Sequence, residues 1–164
     1  MNRLFPVWIG LLLSVLTISS CCHKKVYCTS ETLDFAFTGF DRNEVRNFTL
    51  RRFAKDNPWG EVLDSAQFIY YGSAAVTLKP DTLQFSDYRT IGNLDGITSD
   101  NDWAIYLPAT GKIFYFTTIF DDNNKSQLVR CGDDNTTCSK AITYFSINND
   151  WQRGDFLYLQ KGRW

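Results

Sequence analysis

The sequence holds a single histidine, His23, near its N-terminus. Nucleophilic hydrolysis of the Ser-His-Asp or Cys-His kind needs a base fixed beside its nucleophile, and no second imidazole is there to serve. A G-x-x-x-x-G-K-[ST] run and a G-x-G-x-x-G turn after a strand are both missing, which removes the usual phosphate cradles. There is also no C-x2-C pair, and His23 sits on a short linker rather than a scaffold able to fix tetrahedral geometry, so neither a metal nor a cofactor is expected. Formal net charge is −1, which provides no basic field for a polyanion and excludes nucleic acid as an expected partner. No repeat of roughly 20 to 50 residues and no low-complexity run is visible.

What is present begins with an address. Met1-Asn2-Arg3 supplies one positive charge, and Leu4 to Ile18 then carries none. This is a secretory layout, and the apolar stretch falls short of the ~20 residues a helix needs to span a bilayer core. Residues 1–20 are therefore read as a helical signal peptide. The segment ends in Ile18-Ser19-Ser20-Cys21, which resembles the lipobox of the bacterial lipoproteins. The resemblance implies that Cys21 receives a diacylglyceryl group and becomes the first residue of the mature chain. Two or three acyl chains on one residue would anchor stably, whereas a single chain holds only marginally.

Residues 21–32 are expected to form the lipidated N-terminus and a short tether, and 33–164 a single domain large enough to bury a core. No Asp follows the lipidated position, which points to the outer membrane, facing the periplasm. An exported compartment permits disulfides, and with Cys21 lipidated four cysteines remain, at 22, 28, 131 and 138. Four allow three connectivities. The stretch from Cys131 to Cys138 is a polar, Gly-containing loop, so a Cys131–Cys138 bridge is expected, with Cys22 and Cys28 unassigned.

From residue 33 the dominant period is two. Leu33, Phe35 and Phe37 alternate with Asp34, Ala36 and Thr38; Phe48 and Leu50 alternate with Asn47, Thr49 and Arg51; Ala66, Phe68 and Tyr70 interleave with Gln67 and Ile69. Further strands are predicted over 74–79, 103–107, 112–120, 142–147 and 155–160, rich in aromatic and β-branched residues. Turn clusters such as Ala109-Thr110-Gly111 and Asn148-Asn149-Asp150 separate them. The run Lys112 to Phe120 is apolar on both faces, as suits a strand buried on two sides or covered at one end by a loop. The segment 80–102 reads as one short strand and a long connection. Helical signal is thin, with one turn expected at Pro58 to Asp64. The prediction is an all-β chain, an antiparallel sandwich of about seven or eight strands. The pattern is similar to the small immunoglobulin-like or transthyretin-like sandwiches of many bacterial lipoproteins, a likeness of fold that implies no activity.

Candidate chemistry is sparse. The carboxylate pairs Asp121-Asp122, Asp133-Asp134, Glu61-Asp64 and Asp100-Asp102 would suit a glycosidase or, at Asp121 to Asn124, a calcium loop. Their Asn, Gly and Ser neighbours read instead as solvated turns. Asp64-Ser65-Ala66 and Asp81-Thr82-Leu83 resemble acceptor sites for bacterial O-glycosylation, at Ser65 and Thr82.

Aromatic content is 16%, from 13 Phe, 8 Tyr and 5 Trp, and it divides by location. Phe35, Phe37, Phe114 and Phe116 at strand spacing are core candidates. Trp59, Trp103, Trp151 and Trp164 sit at or beside turns or the C-terminus, where a ring can cap the end of the core or give a binding domain its stacking platform, and Trp59, Trp103 and Trp151 form the candidate binding surface. The sequence thus points to a non-enzymatic, lipid-anchored accessory or interaction module of the cell envelope, with the membrane as one partner through Cys21 and an envelope protein or glycan as another. A carbohydrate-binding module using the loop tryptophans is the alternative, and a carboxylate-based glycan-active enzyme the third reading.

Overall fold

The computed structural model describes residues 22–70, 76–79, 82–84, 88–94, 96–122, 124–132 and 137–164. The expected signal peptide and the lipid acceptor Cys21 lie outside the described residues. The chain divides into two compact units. One joins the N-terminal segment up to Cys28 with Ser126–Cys138; the other comprises Thr29–Lys125 and Ser139–Trp164.

In the first unit β1 (His23–Tyr27) runs antiparallel to β11 (Ser126–Arg130), in register from His23↔Arg130 to Tyr27↔Ser126. That ladder decides the disulfides. Continuing the register by one residue sets Cys22 against Cys131, whose N–H donates to the Cys22 carbonyl at 3.0 Å. The bridges are Cys22–Cys131 and Cys28–Cys138, with Cα separations of 5.3 and 4.8 Å. The expected Cys131–Cys138 bridge is therefore not formed, because strand pairing brings each of these cysteines to a partner over a hundred residues away, at separations of 109 and 110. The residues read as a tether hold strand β1 and the start of the second unit. The segment 126–138, read as part of a single domain, clusters with the N-terminal piece.

The second unit is a β-sandwich. It opens with β2 (Thr29–Ser30), which pairs in parallel with β12 (Ser139–Lys140). Its larger sheet contains β4 (Asn47–Phe53), β5 (Asp64–Tyr70), β8 (Tyr88–Ile91), β9 (Asp102–Leu107), β10 (Lys112–Asp121), β13 (Ile142–Ile147) and β14 (Asp150–Arg153). These seven strands are antiparallel throughout, in the order β14-β13-β10-β9-β4-β5-β8. The smaller sheet has the order β15-β3-β7-β6, from β15 (Phe156–Gln160), β3 (Asp34–Thr38), β7 (Thr82–Gln84) and β6 (Val76–Lys79). There β15 joins β3 in parallel, a departure from a purely antiparallel sandwich.

The core follows from strand alternation. Phe48 and Leu50 of β4, Trp103, Ile105 and Leu107 of β9, Phe114 and Phe116 of β10, and Phe145 and Ile147 of β13 turn inward onto Phe37 of β3 and Leu157 and Leu159 of β15. Phe35 and Phe37 meet Phe48 with ring centroids 5.5 and 5.9 Å apart, so the aromatic residues at strand spacing weld the two sheets. Each such side chain, fully buried, contributes about 1.5–3 kcal/mol.

The helical turn expected at Pro58 to Asp64 is not formed: the chain makes a tight turn closed at Gly60, runs irregularly to Leu63 and enters β5 at Asp64. The one helix among the described residues, α1 (Arg42–Val45), lies just before β4, started by Glu44, whose carboxylate accepts the Asp41 N–H at 2.8 Å. Asp41 and Glu44 stand at capping-box spacing.

Candidate functional site

Alternation gives the seven-stranded sheet an outer face opposite the core. The ladder pairs Leu50↔Ile105 and Phe116↔Trp103 point inward, so Arg51↔Ala104, Phe53↔Asp102 and Tyr115↔Ala104 share the outer side. Most of that face is polar or aromatic. The Arg51 guanidinium lies 5.0 Å over the Tyr106 ring and that of Arg153 5.0 Å over Tyr144. At one end, the connection from β4 to β5 folds across the face and forms a cleft of about 420 Å³ lined by Asp56, Pro58, Trp59, Asp102, Tyr115 and Asn149 among others.

Local chemistry explains how each wall is placed. Two tight turns shape the connection, with the Asn57 N–H donating to the Ala54 carbonyl and the Gly60 N–H to the Asn57 carbonyl, both at 3.1 Å. A Cβ at Gly60 would lie 2.4 Å from the Asn57 side-chain nitrogen, so a larger residue there would push the Asn57 amide aside. Lys55 pins the connection by donating to the Ser99 and Ile119 carbonyls at 2.8 and 2.9 Å. Trp59 thereby lands on Tyr115, ring centroids 4.2 Å apart and planes tilted by 46°.

On the opposite wall, Asn148 and Asn149 make the two-residue turn between β13 and β14, both with positive φ (46° and 71°), the geometry that matches strand twist in a tight hairpin. The Asn148 side chain accepts the Tyr115 N–H at 2.9 Å and fixes the turn to β10. Between these walls β10 bulges against β13, and Thr118 adopts φ 52°. A β-branched residue there is uncommon, and such bulges re-aim side chains beside sites. Asp56, with φ 60°, is the fourth left-handed residue in the lining.

Asp102 carries the electrostatic interest of the cleft. Its side chain is 0% exposed, and neither carboxylate oxygen makes a hydrogen bond of normal geometry among the described residues. Burial pushes its pKa above the ordinary carboxylate value. The Lys55 charge and the nearby backbone N–H groups of Asp56 and Asn57 work against that rise, and the Asp56 carboxylate adds to it.

The tryptophans expected to form one surface separate. Trp59 is 72% exposed and Trp151 58%, but Trp103 is 3% exposed. Trp103 is thus not a surface residue. It shares the inward parity of Ile105 and Leu107, and its indole N–H donates to the Thr98 carbonyl at 2.9 Å. Trp151 on β14 pairs with Ser146, itself paired with Thr117, so it shares the outer face with the cleft. It lines a second depression with Tyr144, Gln152 and Arg153. Tyr115 was not singled out as a site residue and Asn148 only as part of a turn, while Asp102, read with Asp100 as a solvated turn carboxylate, is instead a fully buried strand residue, because alternation turns it under the Trp59 connection. The two-sided apolar character of 112–120 was the available signal for Tyr115, and alternation against Trp103 the signal for Asp102.

The other acidic candidates scatter. Asp121 is buried, accepts the Ser99 hydroxyl at 2.6 Å and pairs with Lys140 at 3.1 Å. Burial would raise its pKa, but those partners lower it on balance. Asp64 pairs with Arg52 at 3.5 Å, while Glu61, Asp100 and Asp122 are exposed. Asp133-Asp134 lies outside the described residues. No three His, Cys, Asp or Glu side chains converge as metal ligands among the described residues. Of the two O-glycosylation candidates, Ser65 is exposed, but Thr82 is buried and shares a hydrogen bond of 3.2 Å with the Thr38 hydroxyl, which removes it from reach of a transferase.

No protein-family model matches the chain, and the comparisons with curated proteins and with solved structures found no match.

Proposed function

We propose that the chain is a non-enzymatic, lipid-anchored binding module of the bacterial cell envelope, held through Cys21 and presenting the outer face of its seven-stranded sheet to a ligand. The observation that carries the binding half is Trp59, a largely exposed indole set on Tyr115 at the mouth of a cleft. Large rings held at such positions supply contact area at little conformational cost. The anchoring half rests on Ile18-Ser19-Ser20-Cys21, and the two bridges suit an oxidising, exported compartment. The absence of Asp after Cys21 favours the periplasmic side of the outer membrane. A tethered domain meets other envelope components at high effective concentration without tight intrinsic affinity.

Carbohydrate is the ligand class a second observation favours, since Trp59 and Trp151 lie on one face and could stack successive sugar rings. A chain starting at Cys22, which keeps both bridges, tested on arrays of envelope glycans alongside its Trp59→Ala and Trp151→Ala forms, checks both readings. Binding that drops in either variant supports them. Binding unchanged in both variants means the aromatic face is not the contact surface.

A further inference from the structure

We propose that the cleft beneath Trp59 is a site for an organic cation, a ligand carrying a protonated or methylated amine, with the ammonium held at Asp102 and its carbon skeleton against Trp59 and Tyr115. This rests on the reading of the chain as a binding module and names the ligand's chemistry.

The lining holds two carboxylates, Asp56 and Asp102, two aromatic rings and no basic side chain. Asp102 is a buried polar group without a hydrogen-bond partner among the described residues. A buried carboxylate is costly unless something both donates to it and balances its charge. A neutral hydroxyl does only the first, whereas an ammonium does both. Lys55, the nearest cation, is occupied by the Ser99 and Ile119 carbonyls and reaches Asp102 only through space. The faces of Trp and Tyr rings are themselves electron-rich and attract cations, so wall and floor select the same charge. Asp102 has no exposed surface although it lines the cleft, so a ligand that reaches it must displace part of the lining, which includes the Trp59 ring. Indole fluorescence would register that movement.

The test uses the full chain purified from membranes in detergent, with tryptophan fluorescence followed during titration at neutral pH. Glucosamine and glucose form the central pair, since they share a ring and differ in one ammonium; tetramethylammonium and Ca²⁺ are the further probes. Glucosamine and tetramethylammonium are expected to bind saturably, and glucose not. Asp102→Asn, nearly isosteric, and Trp59→Ala, on the surface, should each weaken glucosamine about tenfold. Glucose binding as well as glucosamine, with Asp102→Asn unaffected, overturns the cation assignment and leaves a sugar-binding module standing. Ca²⁺ binding in place of the amines overturns it too. No saturable binding by any organic cation overturns it as well, and the glycan arrays then decide separately whether the aromatic face binds anything. If Asp102→Asn fails to fold, the glucosamine and glucose comparison on the parent and on Trp59→Ala still decides.

Discussion

Asp102 and Trp103 are neighbours in the chain and opposites in environment. Strand alternation sends the indole into the core and the carboxylate beneath the Trp59 connection. Truncation separates the three tryptophans accordingly. Trp103→Ala should cost about 3–5 kcal/mol, whereas Trp59→Ala and Trp151→Ala should stay within about 0.5 kcal/mol of the parent, as denaturant titration would show. Similar losses at all three would contradict the burial described. For Asp102 the folded-state pKa is raised by burial, so over the interval between its ordinary value and the raised one the folded chain binds more protons than the unfolded. Stability therefore falls as pH rises through that interval and levels off above it. Asp102→Asn should lack this fall and be more stable than the parent at neutral pH. A lower denaturation midpoint in the variant would show that the ionised carboxylate is already well compensated.

The strands were legible wherever one face is buried and the other is not. Phe35 and Phe37, Phe48 and Leu50, and Ala66 with Tyr70 alternate as their sheets require, and Asn148-Asn149 marks a tight turn between two of them. Strand β11 escaped notice because Ser-Gln-Leu-Val-Arg has little alternation, and β1 because His-Lys-Lys-Val-Tyr is mostly polar. Both depend on pairing and on bridges, which local pattern does not encode. The capping pair Asp41 and Glu44 could have revealed α1, but its single turn carries too short an apolar face to show a helical period. The cleft was half visible. Trp59 stands out in sequence, but its partners Asp102, Tyr115 and Asn148 come from three other places and meet only through sheet order. Dependence of β1 and β11 on their bridges can be measured by hydrogen exchange. Reduction should release the amides of the His23–Tyr27 and Ser126–Arg130 ladder to fast exchange while those of Leu50, Ile105 and Phe114 remain protected. With Cys22–Cys131 intact, Cys28–Cys138 closes only a short loop, so losing it alone should cost about 3 kcal/mol.

Intact mass of the protein from its native membranes reads anchoring and bridging together. A mature chain beginning at Cys21, heavier by its acyl groups and gaining two hydrogens per bridge on reduction, is the expected result. An unmodified mature chain, or recovery only from the soluble fraction, would overturn the anchor. The two bridges also have a mechanical consequence. Residues 22–28 and 131–138 form one covalent ring closed by Cys22–Cys131 and Cys28–Cys138. A domain tethered by its first residue would ordinarily meet tension by peeling its first strand, one hydrogen-bonded pair after another. Here a pull arriving at residue 21 enters the ring at its next residue and is divided between two segments of the chain. Strand β1 is thus shackled at both ends, and tension applied at residue 21 would not unzip it from that end.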